Sequence, residues 1–140
     1  MTKVYLVRHA EAEGNYYRRI QGHYNGGITR RGYLQIDALA ERFRDIHIDA
    51  LYSSDLRRTM ITAGAIKKHH DLPLKTDRRL REVDMGAWED LPWGNASHDD
   101  SEQLFLFSTD PEKWSVPNCE PYVNLQNRIY DTILELAAKH

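Results

Sequence analysis

The chain has 140 residues, 41% of them apolar and 29% charged, with a formal net charge of −2. That length and apolar share suffice for one domain with its own core, which excludes a disordered segment. The near-neutral balance excludes a strongly basic nucleic-acid clamp, and no apolar run is long enough to span a bilayer, so neither nucleic acid nor membrane is the expected partner.

The first apolar run, Lys3-Val4-Tyr5-Leu6-Val7, has no alternation of polarity and predicts a strand buried on both faces of a parallel sheet. It stops at Arg8-His9. No apolar leader precedes it, and the single Cys119 has no partner for an internal disulfide; both features predict a reducing, cytoplasmic setting. A polar, glycine-bearing loop follows over 14–28. Thr29 then stands where it can cap a helix whose Ile36, Leu39, Ala40 and Phe43 recur at the helical period.

The stretch IDALYSS, 48–54, predicts a second strand that ends in small polar residues. The next segment, 55–70, predicts a helix with Leu56, Met60, Ala63 and Ile66 on one side and His69-His70 at its exposed end. Pro73 ends that helix, and LKTDRRL, 74–80, predicts a third strand whose charges suit an edge. Residues 90–118 carry several prolines and predict an excursion with one short helix, 101–108. A long helix begins at Glu120, with Pro121 in its first turn, and repeats Leu125, Ile129, Ile133, Leu136 and Ala137.

Strands alternating with helices predict an α/β fold, a three-layer α/β/α domain over 1–140 with a mainly parallel sheet and right-handed crossovers. Ligand sites in such sheets lie beyond the carboxyl ends of the strands. Arg8-His9 follows the first strand, Ser53-Ser54-Asp55 the second, and Glu82 the third. Arg58 lies in a first helical turn, where backbone N–H groups already favour an anion. Two guanidiniums offer forked donors to phosphate oxygens, and a neutral imidazole between them is a nucleophile for phosphorus. Glu82 is the candidate acid for the leaving alcohol, a task that requires it to carry a proton.

Plainer readings exist for each residue alone: Arg8-His9 as a charged loop, Arg58 as an exposed helix residue, Glu82 as a loop acid and Asn15 as a turn residue. Their agreement in position favours the site. The adjacent His69-His70 and the scattered remaining histidines have no zinc-site spacing, so no metal and no other cofactor is expected. Trp88, Trp93 and Trp114 read as core or pocket-wall residues, with Trp88 foremost for lining a substrate pocket.

LVRHAEAEGN (6–15), SSDLRRTMITA (53–63) and LREVDMGAWED (80–90) resemble, in this order, the signature segments of the histidine phosphatase superfamily, also called phosphoglycerate mutase-like. CEPYVNLQNRIYDTILELAAKH (119–140) is similar to that family's helix before its last catalytic strand. The resemblance implies His9 as the nucleophile that becomes phosphohistidine, Arg8 and Arg58 as catalytic phosphate ligands, Asn15 as a further phosphate contact and Glu82 as proton donor. It also implies a second pocket histidine on a later strand, which has no counterpart before His140, so 1–140 is expected to be a truncated domain lacking its C-terminal part. NGGIT (25–29) stands where many members have Asp-x-Pro-Leu-Thr, and Ala10 where glycine is commoner.

The resulting expectation is a phosphatase that hydrolyses a small phosphorylated metabolite through phospho-His9. Its rivals are a phosphoglycerate mutase and, from another class, a phosphate-binding module with impaired catalysis. Substrate choice would rest with loops 10–28 and 86–118, and oligomeric state is left open.

Overall fold

A computed structural model describes residues 2–140. Its elements are, in order, helix α1 (Glu13–Tyr16), α2 (Arg30–Phe43), strand β1 (Leu51–Ser53), α3 (Arg57–Lys67), β2 (Leu74–Thr76), α4 (Trp93–Asp99), α5 (Ser101–Thr109) and α6 (Tyr122–Ala138). Single 3-10 turns stand at Arg78–Leu80 and Gly86–Trp88. β1 and β2 pair in parallel, with Leu51 opposite Leu74 and Ser53 opposite Thr76. Their carboxyl ends therefore leave the sheet on the same edge, and Asp77 N–H extends the ladder to the Ser53 carbonyl at 2.9 Å.

Local chemistry accounts for the helices. Thr29 accepts the Gly32 N–H on its side chain and caps α2 as expected. One stripe of α2, Leu39 and Phe43, meets Ala63 and Ile66 of α3 and Leu51 of β1 in a first core, and Ala40 beside them is buried. His70 Nε2 bonds the Phe43 carbonyl at 2.8 Å and His69 bonds Glu41 at 3.2 Å, so the two histidines fasten α3 to α2 instead of standing free.

The excursion holds two helices, α4 and α5, where one was expected. Together with Ile20, Val83, Met85, Trp88, Trp114 and Val116 they build a second core. Trp88 is a correction: it is 3% exposed and packs on Trp114 at 5.8 Å between ring centroids, a core residue rather than a pocket wall. Gly86 sits just before it at φ +53°, where an added Cβ would strike the Pro117 carbonyl and the Cys119 N–H.

Residues 3–7 depart from expectation. They form no regular element and no ladder with β1 or β2, and Val4, Leu6 and Val7 are exposed, Leu6 to 80%. The physical reason is separation. A cavity of about 840 Å³, lined by residues 2–9 on one side and 47–54 on another, lies between this segment and β1. Ile129, Ile133 and Leu136 of α6 and Ala63 and Ile66 of α3 border the same space. An apolar strand becomes doubly buried only when a partner strand is hydrogen-bonded beside it.

Replacing Gly86 by Ala is expected to destabilise the fold by about 2 kcal/mol or more, from a left-handed backbone plus a steric clash. Urea unfolding monitored by tryptophan fluorescence checks this. An unchanged midpoint would show that the 86–88 turn does not anchor the second core.

Candidate active site

Four of the five expected site residues meet in one cavity. Arg8, His9, Arg58 and Glu82 line a space of about 590 Å³, together with Arg81 and Gln126 and an apolar wall that includes Leu56, Leu80 and Ile129. Asn15 is not among them. Its side-chain oxygen accepts the Ala12 N–H at 3.0 Å at the start of α1, the turn role that its residue type also allows.

His9 is held through both neighbours in the chain and in space. One ring nitrogen, Nδ1, lies 2.7 Å from the Ala10 carbonyl. A carbonyl accepts only a proton, so Nδ1 carries the N–H and Nε2 keeps its lone pair. Burial lowers the pKa of His9, the Ala10 bond opposes this, and the positive charges of Arg58 and Arg8 lower it further, while Glu82 raises it. The net direction is down, which keeps the imidazole neutral near pH 7.

Arg58 is 2% exposed. Its Nη1 donates to the Tyr24 carbonyl and its Nη2 to the Gly22 carbonyl, each at 2.8 Å, which engages two of the guanidinium's five donors. Its buried Nε has no acceptor among the described residues. Desolvation pulls the Arg58 pKa down and Glu82 and Glu89 push it back up, but an arginine stays charged throughout the working range. A fixed cation with free donors, next to an imidazole lone pair, is the electrostatic signature of an anion site.

Several supporting residues were not singled out from the sequence. Thr62, one helical turn after Arg58, accepts the Ala10 N–H at 2.9 Å and donates to the Arg58 carbonyl at 2.7 Å, so α3 locks the backbone beside His9. The available signal was a threonine four residues past a candidate arginine, placed to bond back along its helix. Glu89 accepts the N–H groups of Gly22, His23 and Tyr24, at 3.3, 2.7 and 2.6 Å, and of Met85 at 2.9 Å. It thereby fixes the loop whose carbonyls hold Arg58. Arg81 forks onto Asp55 at 2.5 and 2.6 Å and ties the Glu82 segment to the end of β1. That ion pair holds the Asp55 carboxyl below its ordinary range.

Glu82 itself is exposed, and its Oε1 accepts the Val83 N–H at 2.9 Å. Among the described residues no three metal-ligating side chains converge, and no helix is long and apolar enough to cross a membrane. His140 bonds the Tyr52 hydroxyl at 3.0 Å and does not line the His9–Glu82 cavity.

The lowered pKa of His9 has a definite sign in solution. As pH falls through the ordinary histidine value of about 6.5, the unfolded chain binds the proton first, so folding loses stability from this group. In a nitrogen-resolved NMR titration His9 should protonate at lower pH than exposed His98, whose neighbour Asp99 raises its pKa, and should show the Nδ1–H tautomer. A reversed order, or the Nε2–H tautomer, would contradict the described site.

The chain is similar to several known proteins. The family model of the histidine phosphatase superfamily, branch 1, matches residues 4–140. A protein of Yersinia pestis described as a probable phosphoglycerate mutase is 36% identical over 141 residues, spanning 99% of this chain and 66% of its own length. Among solved structures, YhfR of Bacillus stearothermophilus superposes with a TM-score of 0.90 at 26% identity, covering 95% of this chain and 66% of that one. A mycobacterial glucosyl-3-phosphoglycerate phosphatase gives 0.84 at 27% identity, covering 93% and 64%. The α-ribazole phosphatase of Shigella flexneri gives 0.83 at 25%, covering 95% and 66%. The chain thus spans just under two thirds of the relatives it matches. By its family match across nearly every residue and by its α/β fold, the chain belongs to the histidine phosphatase superfamily.

Proposed function

We propose that the chain is a phosphomonoesterase acting on a small phosphorylated metabolite through a phosphohistidine at His9. The observation that carries this is the meeting, in one cavity, of a histidine with its Nδ1–H committed to a carbonyl, two arginines and one glutamate. Phosphatases among the structural relatives support the same reaction class.

In the first step the Nε2 lone pair of His9 attacks phosphorus in line. The bond from phosphorus to the ester oxygen breaks, and that oxygen takes the Glu82 proton and leaves as the alcohol. Arg8 and Arg58 hold the equatorial oxygens, where their fixed charges stabilise the transferring group without reorganisation. In the second step the Glu82 carboxylate takes a proton from water, whose oxygen attacks phosphorus. The phosphorus–nitrogen bond breaks, and neutral His9, protonated Glu82 and phosphate result. The ligand dianion beside Glu82 favours its protonated form at the moment it must donate.

A mutase is the second reading, favoured by the name of the 36% identical relative. It differs only in the fate of the phosphohistidine, which returns to a second substrate hydroxyl instead of water.

Brief mixing with a small phosphomonoester, an alkaline quench and intact-mass analysis should give one phosphoryl adduct that maps to His9. His9→Ala should lose the adduct and reduce turnover by about a thousandfold or more. Activity surviving in that variant would refute the nucleophile. Tight phosphate binding with neither adduct nor phosphate release would instead make the chain a phosphate-binding module.

A further inference from the structure

The guanidinium of Arg128 in α6 lies outside the cavity lining, yet every one of its N–H donors is engaged. Nε donates to Glu120 Oε1 at 2.6 Å and Nη2 to Glu120 Oε2 at 2.6 Å, a two-pronged ion pair. The remaining donors reach backbone carbonyls: Nη1 to Arg79 at 2.8 Å and Arg81 at 2.7 Å, and Nη2 to Glu82 at 2.9 Å. The Arg79 carbonyl belongs to the 3-10 turn at Arg78–Leu80, and the Arg81 and Glu82 carbonyls to the irregular segment between it and the turn at Gly86–Trp88, where the Arg81–Asp55 pair is another tie.

Glu120 grips the same segment from its other end. Its N–H donates to the Asp84 carbonyl at 2.9 Å, and its Oε2 accepts the Asp84 N–H at 3.4 Å. His23 Nε2 adds a bond to the Glu82 carbonyl at 3.0 Å. The ion pair is largely sheltered, with side chains 20% and 17% exposed, so solvent weakens it little. A lysine could not replace this arrangement, because a single ammonium cannot fork onto a carboxylate while also spanning three carbonyls.

We infer that Arg128 and Glu120 are positioning residues that set the backbone of 79–84 and so aim the Glu82 carboxyl at the leaving oxygen. This rests on the phosphomonoesterase reading for its catalytic part, though not for the clamp itself. A proton donor contributes about 10²- to 10⁴-fold only if held within hydrogen-bond reach of the reacting oxygen. The benefit depends on the leaving group: an alkoxide needs the proton, whereas p-nitrophenolate departs without it. In kcat/KM, which reports phosphoryl transfer to His9 and not the hydrolysis step that both esters share, misplacement of Glu82 therefore penalises one ester far more than the other, while a general loss of fold penalises both alike.

The test uses Arg128→Lys and, because a half-buried arginine can be needed for folding, Glu120→Gln as the milder variant. The kcat/KM on glycerol 2-phosphate is expected to fall roughly 10- to 100-fold, with less than about a threefold change in kcat/KM on p-nitrophenyl phosphate. The acidic pathway should shift with them, flattening the pH profile on the alkyl ester alone. Amide hydrogen exchange should accelerate at Val83 and Asp84 but not at Ala10, whose N–H is held by Thr62. Equal losses on both esters, or unchanged exchange across 79–84, would overturn the inference. A complete lack of turnover in the unsubstituted chain would count against the phosphomonoesterase reading instead, and exchange would still decide the clamp.

Discussion

A guanidinium buried to 2% exposure is the constraint around which the site is organised. Arg58 cannot shed its charge, so acceptors must be brought to it. The Gly22 and Tyr24 carbonyls serve, which requires the loop around them to keep one shape. Glu89 imposes that shape by gathering three consecutive N–H groups, and Ile20 anchors the loop in the second core beside Met85 and Trp88. The 90–118 excursion acquires a purpose from this chain of contacts. Its helices and Trp114 complete the core that keeps the Arg58 loop in place.

The second constraint is the neutral imidazole. A nucleophilic nitrogen must be desolvated enough to stay unprotonated and still face the phosphate site. Burial and two arginines lower the pKa of His9, and the Ala10 carbonyl fixes which nitrogen remains free. Thr62 couples this to α3, since one hydroxyl joins the Ala10 N–H to the Arg58 carbonyl. The backbone beside His9 and that of Arg58 are thus registered against each other through a single buried side chain.

Features that depend on local spacing were legible in the residues. The Thr29 cap, the α2 and α3 stripes and a strand after Pro73 follow from period and residue type, although only Leu74–Thr76 of the expected 74–80 pairs and Arg78–Leu80 forms a 3-10 turn, and the parallel pairing follows from alternation of strand and helix. Features that depend on distant partners were not. Whether Lys3–Val7 pairs is decided by what lies beside it, and its apolar character alone cannot say. Trp88 stands between turn residues in the sequence, so only packing against Trp114 and Phe107 reveals it as core. Asn15 carried two readings, and its bond to the Ala12 N–H realises the turn reading while leaving it off the cavity wall. The Glu120–Arg128 clamp leaves no trace in spacing, because three of its acceptors are backbone carbonyls.

The most direct test of the account is an NMR titration of the chain with orthovanadate, following the Nε–H signal of Arg58 and the Nε2 signal of His9 together. Among the described residues Nε of Arg58 is a buried donor without an acceptor, and Nε2 of His9 carries the free lone pair, so the proposed reaction requires both to answer to one anion. The account predicts that the two signals shift along a single binding curve. Shifts with different affinities, or an Arg58 signal that does not move while vanadate binds, would contradict it.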